Sequence, residues 1–482
     1  MPSSVTLAGL SAAEAPLASS ASTERSFDRK LFAALIFGLA FAPFWLGSNR
    51  PIAWGLNAIY YGALAILYEA ALLWSGRTHP VALRRIWFPA IAFMSVVVWS
   101  LLQIAPFMPE SWRHPIWRMA SDALGEPIAG AISVNPDLTV LAVTRLLTCG
   151  LVFWLSLQLC RSERRARAMV KGIALIGLGY AVYGILAFFV WPDTILWFDK
   201  EYYRDSVTST FVNRNSYATY SAIGLVCSLV CALRVFQRLT PPGMATVGQR
   251  VAALIAAALG PGGFWIVCAF IIGAGLMLTG SRGGIASSLA GVSVFFVLAA
   301  IRGRKNPIFV SVTLLVMVSV VGVTLLYFGD FLAHRLNTNH MDDEGRLAVY
   351  ALTWRAVLDA PWLGTGYGTF QDVFKMYRDA TLVSLFFWDR AHNTYLELFQ
   401  GLGFPVAIFF MLSVANIVGH CILGVKQEAV APVAAVATSV VVCLHSFVDF
   451  SLQVQALALT WSALLGAGLA QSPSVINPDG SF

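Results

Sequence analysis

Twelve apolar stretches of this sequence are long enough, or nearly long enough, to cross a lipid bilayer as helices. A membrane-spanning helix needs about 20 apolar residues, because each residue adds about 1.5 Å across a hydrocarbon core of about 30 Å. A lone helix satisfies its own backbone hydrogen bonds in lipid, and these stretches are too long for strands of a membrane barrel. The sequence therefore predicts an all-α polytopic membrane protein with about 12 transmembrane helices. The predicted spans are residues 31–47, 52–74, 86–105, 138–160, 171–191, 215–235, 251–280, 283–301, 307–327, 403–424, 430–450 and 452–470.

The scarcity of charged residues excludes a soluble protein. Charged side chains make up 12% of the 482 residues and apolar ones 58%, whereas a soluble domain carries about 25% charged residues. The seven cysteines lie within or beside apolar runs and form no CxxC pair, so neither a disulfide framework nor a zinc site is expected. The net charge of +7 is expected to reflect membrane orientation, and no nucleic-acid partner is expected.

The distribution of Lys and Arg orients the chain. If the N-terminus is placed inside, every inner segment up to Lys305 is short and basic, and most acidic residues fall outside. Because basic residues are enriched on the cytoplasmic side, both termini are predicted to be cytoplasmic. The N-terminal tail is rich in Ala and Ser without periodicity and is predicted to be disordered. The predicted units are a disordered tail (1–30), spans 1–9 (31–327), a long outer loop (328–402), spans 10–12 (403–470) and a second tail (471–482).

One predicted span is interrupted. Residues 251–280 contain Gly-Pro-Gly-Gly at 260–263, and both residue types break helices. We interpret this stretch as one broken span, and two short helices are the alternative.

The outer loop between spans 9 and 10, residues 328–402, has a helical pattern of its own. Residues 345–360 predict an amphipathic helix, because apolar side chains recur along one stripe, and Pro361 ends it. A glycine-rich turn follows, and residues 369–379 predict a second helix. Such helices can lie on the membrane as a lid over a cavity between spans.

Two arginines lie at predicted helix starts on the outer face, where the orientation rule does not require basic residues. Arg282 belongs to Leu-Thr-Gly-Ser-Arg-Gly-Gly at 278–284, with its serine as a predicted cap, and Arg214 belongs to Phe-Val-Asn-Arg-Asn at 211–215. A helix N-terminus carries free N–H groups and a positive dipole end, so an arginine beside it favours a phosphate. The alternatives are an arginine that snorkels to lipid headgroups and an ordinary capped helix start.

Three further features could carry chemistry. Arg145 lies seven residues into the fourth predicted span, about 10 Å below its start, and an arginine at that depth usually faces a polar cavity or a partner. His392, in Ala-His-Asn-Thr-Tyr-Leu-Glu before the tenth span, can accept a proton near neutral pH, and a capping role is the alternative. His445 and Asp449 are four residues apart near the outer end of the eleventh span, so they could form a polar pair. Two ligands do not make a metal site, and none is expected.

Together these motifs resemble the O-antigen ligase and polysaccharide polymerase family of bacterial inner membranes. The resemblance covers most of residues 200–470, whereas the first five spans match only in hydropathy. Arg355 and Gly366 enclose ten residues, which is similar to the Arg-x10-Gly spacing of some polymerases. The matching stretches are residues 211–215, 278–284, 346–370, 392–397 and 445–450.

The resemblance implies a membrane-embedded C-type glycosyltransferase of lipopolysaccharide, O-antigen or exopolysaccharide biosynthesis, with its long loop in the periplasm. The donor would be a glycan on a polyprenyl diphosphate such as undecaprenyl diphosphate, and the acceptor a hydroxyl of a glycan, of lipid A-core or of a lipid-linked repeat. Arg214, Arg282 and Arg346 would hold the diphosphate, and His392 would act on the acceptor hydroxyl. A metal-independent inverting transfer without cofactors is the simplest interpretation. The candidate site residues are His392 as the catalytic residue and Arg145, Arg214, Asn215, Arg282, Arg346, Arg355 and Asn393 as substrate-binding residues.

Other functions stay open at this point. A ligase moves a finished glycan onto lipid A-core, whereas a polymerase joins one lipid-linked repeat to another, and the sequence does not identify the acceptor. A secondary transporter would suit twelve spans, and Arg145 and the interrupted seventh span favour it. The lack of repeated halves and the long outer loop count against a transporter. A non-catalytic scaffold, in which His392 only caps a helix, is a third alternative.

Overall fold

The structure, a computed structural model, describes residues 14–239, 246–302, 340–380, 382, 388–425 and 429–476. These residues form mainly helices. One antiparallel pair of two-residue strands, β1 (Thr194–Ile195) and β2 (Phe198–Asp199), lies between two of the helices. The helices are α1 (Glu14–Phe41), α2 (Pro51–Ser75), α3 (Trp87–Gln103), α4 (Ile116–Leu124), α5 (Pro136–Leu159), α6 (Glu163–Val190), α7 (Arg214–Leu239), α8 (Val247–Leu259), α9 (Pro261–Met277), α10 (Arg282–Arg302), α11 (His340–Asp359), α12 (Phe370–Tyr377), α13 (Thr394–Leu402), α14 (Phe404–Gly424), α15 (Ala431–His445), α16 (Gln455–Ala470) and α17 (Pro473–Ile476).

Seven helices in the described part of the chain are long and apolar enough to cross a membrane. Three further apolar helices, α9, α15 and α16, have 17, 15 and 16 residues, which is fewer than the 20 or so that a bilayer core requires. A mostly helical, multi-pass architecture is therefore confirmed, whereas the predicted count of twelve spans is not. The predicted span 307–327 lies outside the described residues. The seven candidate spans are Pro51–Ser75, Leu83–Gln103, Pro136–Leu159, Glu163–Val190, Arg214–Leu239, Arg282–Ile301 and Phe404–Gly424.

Near helix boundaries, the structure departs from one sequence prediction and selects one of two alternatives left open. Helix α1 begins at Glu14, so the tail predicted as disordered over residues 1–30 is helical from Glu14 onward. Its composition permits this, because Ala, Glu and Arg have high helix propensity. The interrupted stretch 251–280 forms two helices, α8 and α9, which meet at Gly260. Pro261 has no N–H with which to continue α8, and its fixed φ suits the first position of α9.

The outer segment contains three helices, α11, α12 and α13. Helix α11 lies over the pattern predicted at residues 345–360, and α12 lies within 369–379. Val349 and Leu352 of α11 pack with Phe370 and Phe374 of α12 in a small apolar core. Helix α13 then precedes α14, and Gly403 between them has a φ of 75°, a conformation that glycine adopts without steric cost.

The helices have two ends, which we call outer and inner after the predicted orientation. At the outer end of α3, Nε2 of Gln103 donates to the carbonyls of Leu363 (2.8 Å) and Gly401 (2.7 Å) in the outer segment. At the inner end of α16, Nε2 of Gln471 donates to the carbonyl of Cys160, just beyond α5, at 2.6 Å. Helix α16 lies at the centre of the core, since nearly all of its residues are buried.

Candidate active site

The outer ends of α7 and α10 meet through their N-terminal caps. Asn213 caps α7, since its Oδ1 accepts the N–H groups of Asn215 (2.7 Å) and Ser216 (3.3 Å). Ser281 caps α10, as its sequence position predicts, and its Oγ accepts the N–H of Gly284 at 3.2 Å. The Ser281 hydroxyl also donates to Oδ1 of Asn215 at 2.7 Å. The two helix starts are therefore joined directly.

Arg214 and Arg282 are the first residues of these joined helices. Both helix dipoles place their positive ends at this junction, where an arginine begins each helix. Guanidinium groups and helix N-termini are suited to bind a phosphate or diphosphate. Among the described residues, no group of three or more His, Cys, Asp and Glu side chains is placed to hold a metal ion.

A buried carboxylate, that of Asp449, lies beside the two helix starts. Asp449 is fully buried and belongs to residues 446–454, which we call the α15–α16 loop. Its Oδ1 accepts a hydrogen bond from Nδ2 of Asn215 at 3.4 Å and lies 3.8 Å from Nδ1 of His392. The hydroxyl of Ser451 donates to its Oδ2. Asp449 therefore connects His392 to the junction of α7 and α10.

His392 has a left-handed backbone and a largely enclosed ring. Its φ of 53° is a conformation that costs an L-residue about 1–2 kcal/mol. The ring stands edge-on to Trp388 and Phe450, at centroid distances of 5.3 and 4.8 Å. The Tyr350 hydroxyl donates to the His392 carbonyl at 2.9 Å, and the N–H of Thr394 donates to the α15–α16 loop. With 16% of the side chain exposed, the ring keeps access to the outside.

Helix α11 brings Arg346 to the same place. Arg346 and Tyr350 are four residues apart and share a face of this helix. The Tyr350 hydroxyl also lies 3.4 Å from the carbonyl of Phe447, and Arg346 is close enough to His445 for their charges to interact. We call the resulting group the outer polar cluster; it consists of Arg214, Asn215, Arg282, Arg346, His392 and Asp449.

The outer segment before α7 orders the Arg214 guanidinium. Cζ of Arg214 lies 5.0 Å from the ring centroid of Tyr203, and Nη1 donates to Oγ of Ser206 at 3.3 Å. Nζ of Lys200 donates to the carbonyl of the same serine at 2.7 Å. Burial lowers the pKa of Lys200 to about 8, and two nearby aspartates act in the opposite direction. This segment therefore adds a buried cation close to the outer polar cluster.

Arg145 is not a member of the outer polar cluster; it contacts the α15–α16 loop that carries Asp449. Its Nη2 donates to the carbonyl of Gln453 in the α15–α16 loop, and its Cζ lies 4.4 Å from the ring centroid of Trp54. The side-chain amide of Gln453 donates to Glu397, whose Oε1 accepts the N–H of Ala391 at 2.7 Å. Burial raises the pKa of this glutamate. A buried chain of hydrogen bonds thus runs from Arg145 to the residue before the left-handed histidine.

Two other predicted site residues are engaged elsewhere. Arg355 lies on an exposed part of α11, where its Nη1 is 3.3 Å from Oδ2 of Asp379. Asn393 caps α13, since its Oδ1 accepts the N–H groups of Tyr395 and Leu396, both at 3.1 Å. The structure therefore does not bring Arg355 or the side-chain oxygen of Asn393 to the outer polar cluster.

The role of Asp449 was not foreseen from the sequence. His445 and Asp449 do not share a helix face as predicted, because α15 ends at His445 and Asp449 lies in the loop beyond it, but the two side chains are close enough for their charges to interact. The ring of His445 also contacts the hydroxyl of Thr219. The sequence signal was weak because Phe447 and Val448 continue the apolar run past the helix end. Lys200, Tyr350 and Glu397 were likewise not among the candidates.

The fold and this cluster define a multi-pass helical membrane protein with a polar cluster at the outer ends of its helices. Residues 267–411 match the family model described as O-antigen ligase. The matched residues run from α9 into α14 and include Arg282, Arg346 and His392. Over these residues, the match supports the resemblance that the motifs indicated. No curated protein matches the sequence.

Proposed function

We propose that this protein is a glycosyltransferase of the O-antigen ligase type. It moves a glycan from a polyprenyl diphosphate donor to an acceptor hydroxyl at the periplasmic face of the bacterial inner membrane, with both termini in the cytoplasm. The observation that carries this proposal is the meeting of His392, Asp449 and two arginine-bearing helix starts in one cluster. The family match over residues 267–411 supports the same class of reaction.

The arginines of the cluster are suited to bind the diphosphate, which is the leaving group of the proposed reaction. As the bond between the sugar and the diphosphate breaks, negative charge grows on the diphosphate. Arg214 and Arg282 at the joined helix starts, with Arg346 from α11, would stabilise that charge in place. A planar guanidinium can form two parallel hydrogen bonds with a phosphate, which a lysine cannot. The donor arrives already activated on its lipid, so this scheme uses no further cofactor.

His392 is suited to act on the acceptor. In the proposed step, its neutral ring takes the proton of the acceptor hydroxyl, and the hydroxyl oxygen attacks the anomeric carbon. The bond from that carbon to the diphosphate oxygen breaks on the opposite side, so the anomeric configuration inverts. The carboxylate of Asp449, 3.8 Å from Nδ1, would stabilise the imidazolium that forms. The ring then releases the proton to water.

The test is a single-turnover assay with purified protein in detergent, where transport has no meaning. Labelled lipid-linked glycan and lipid A-core should give glycosylated lipid A-core and polyprenyl diphosphate in equal amounts. Elongated lipid-linked glycan, formed without lipid A-core, would identify a polymerase with the same donor chemistry. If the wild type gives no product with either acceptor, the transferase proposal fails and a transporter or scaffold is favoured.

A further inference from the structure

A cavity of about 240 Å³ lies between the start of α3 and the end of α14. Helix α3 has 17 residues, so its two ends stand about 25 Å apart. Its other end, at Gln103, contacts the outer segment. The cavity therefore lies at the inner end of the helices, far from the outer polar cluster, and we call it the inner cavity. Its lining residues are Arg85, Trp87, Phe88, Pro89, Asn416 and His420.

The polar part of the lining has unsatisfied hydrogen-bonding capacity. Within the residues that the structure describes, Nδ1 of His420 is buried without a hydrogen-bond partner. Some other basic residues at this end pair with carboxylates, as Arg77 does with Asp28 at 3.4 Å. Arg85 has no carboxylate partner of this kind among the described residues. A guanidinium and an imidazole without internal partners favour an anionic ligand, because buried polar groups are costly when unpaired.

The remaining lining is apolar and partly exposed. Trp87 is 61% exposed, and Phe88 packs edge-on against Phe409 of α14 with centroids 5.5 Å apart. A tryptophan beside an arginine is typical of the membrane–water interface. A ligand of this cavity should therefore combine an anionic group with apolar chains that run alongside α3 and α14.

We propose that the inner cavity binds the phosphate group of a membrane lipid in the cytoplasmic leaflet. Basic pockets between transmembrane helices on the cytoplasmic side recognise lipid headgroups by this chemistry. Arg85 donates to two phosphate oxygens, His420 and Asn416 donate to the remaining headgroup oxygens, and Trp87 packs against the first part of the acyl chains. Free inorganic phosphate shares the anion but not the chains. This site does not depend on the proposed transfer reaction.

Native mass spectrometry of the full-length protein tests the assignment with two lipids. Dioleoyl phosphatidylglycerol carries the phosphate, and dioleoylglycerol has the same chains without it. The wild type should retain the phospholipid more strongly by at least about tenfold, which is the usual worth of hydrogen bonds to a charged group. Inorganic phosphate at the same concentration should not displace it. Displacement by inorganic phosphate would overturn the proposal in favour of a simple anion site.

Matched variants locate the lipid. Arg85→Gln should remove most of the preference for the phospholipid, by about tenfold. Arg84→Gln is the control, because this neighbouring residue is exposed and does not line the cavity. If Arg85→Gln fails to insert, His420→Leu and Asn416→Ala test the same pocket from α14 and should also weaken retention. Equal effects of the Arg85 and Arg84 variants, or full retention in both α14 variants, would overturn the proposal.

Discussion

His392 has a side chain that can accept a proton and a left-handed backbone conformation that few residue types adopt. The left-handed region is populated mainly by glycine and, among the other residues, by Asn and Asp. The Tyr350 hydroxyl holds the His392 carbonyl in this conformation. Ala at this position would remove the ring and also disfavour the backbone, whereas Asn would remove the base and keep the conformation accessible. The two substitutions together separate chemistry from folding.

We expect both His392→Asn and His392→Ala to lower the single-turnover transfer rate by about two to four decades, the usual share of a general base. Donor binding should persist, because a base acts on the acceptor. Rapid-quench measurements of transfer, together with titration of each variant with the lipid-linked donor, check both points. Wild-type rates from a well-inserted His392→Asn protein would exclude His392 as the base.

Arg282→Lys should impair transfer as Arg282→Ala does. Lysine keeps the positive charge but loses the planar arrangement of donors that a phosphate accepts. Both variants should also weaken donor binding, measured by titration with the lipid-linked glycan. Arg355→Ala is the matched control and should retain activity, because Arg355 pairs with Asp379 on an exposed surface. Full transfer activity in a folded Arg282→Ala protein would instead indicate that Arg282 only contacts lipid headgroups.

The sequence was sufficient to predict the positions of residues that depend only on their near neighbours in the chain. Arg214, Ser281 and Arg282 could be assigned to helix starts because capping residues and apolar runs mark such starts within a few positions. The partner of Asp449 could not be assigned, since the path of a loop decides that this carboxylate faces His392. The sequence therefore predicted the helix starts, which depend on neighbouring residues of one helix. It did not predict the position of Asp449 beside His392 and Asn215, which depends on how separate segments of the chain pack together.

Helix α10 packs closely against two neighbouring helices. A Cβ at Gly284 would lie 2.5 Å from Cβ of Ala218 on α7, and a Cβ at Gly291 would collide with Val441 on α15. Small residues allow membrane helices to approach each other in this way. The close approach keeps the caps of α7 and α10 within hydrogen-bond distance.

Gly291→Ala should lower the melting temperature of the purified protein. The added methyl group would collide with Val441 and lie 2.9 Å from the carbonyl of Ala437, and overpacking of this kind costs about 1–3 kcal/mol. Gly273→Ala in α9 is the matched control, because a Cβ there meets no atom within 4 Å. Thermal unfolding in detergent, followed by tryptophan fluorescence, gives the comparison. Equal melting temperatures for the two variants would mean that α10 and α15 can separate without cost.

Donor affinity should decrease as the pH rises through about 8. Burial lowers the pKa of Lys200 from 10.5 to about 8, while Asp205 acts in the opposite direction. Below this pH, Lys200 and Arg214 both attract the diphosphate; above it, Lys200 is neutral and the attraction weakens. The dissociation constant of the lipid-linked donor, measured on both sides of this pH, checks the effect.

Two variants show whether Lys200 causes this pH dependence. Lys200→Met should abolish it and should bind the donor at low pH as weakly as the wild type does at high pH. Lys375→Met is the control, since this exposed lysine of α12 bonds to Asp372 at 2.9 Å. A wild-type pH profile in Lys200→Met would show that another group is responsible.

Hydropathy predicted the elements better than their ends. Long apolar runs led to a helical membrane protein because a lipid environment leaves few other structures available. The same measure could not show that α15 stops at His445, because the loop after it contains Phe447, Val448 and Phe450. It also could not choose between one broken span and two helices around Gly260, since the apolar composition of residues 251–280 is the same in either arrangement.

At the scale of the whole molecule, the outer polar cluster and the inner cavity lie at opposite ends of the helices. A reporter active only in the cytoplasm, fused near residue 375, should therefore be silent. The same reporter inserted between α5 and α6, at residues 160–162 beside Arg161, Arg164 and Arg165, should be active. Strong signal from the fusion at 375 would reverse the orientation and move the outer polar cluster to the cytoplasmic side.

The α15–α16 loop lies deep in the molecule. Arg145, which contacts Gln453 in that loop, stands nine residues after Pro136 at the start of α5, which is about 14 Å along the helix. A recessed site of this kind limits the entry of bulk water. An activated glycosyl donor can react with water as well as with a sugar, and hydrolysis would release its glycan unattached to any acceptor. Under the proposed function, the depth of this one loop thus bears on how the donor divides between transfer to a hydroxyl and loss to water.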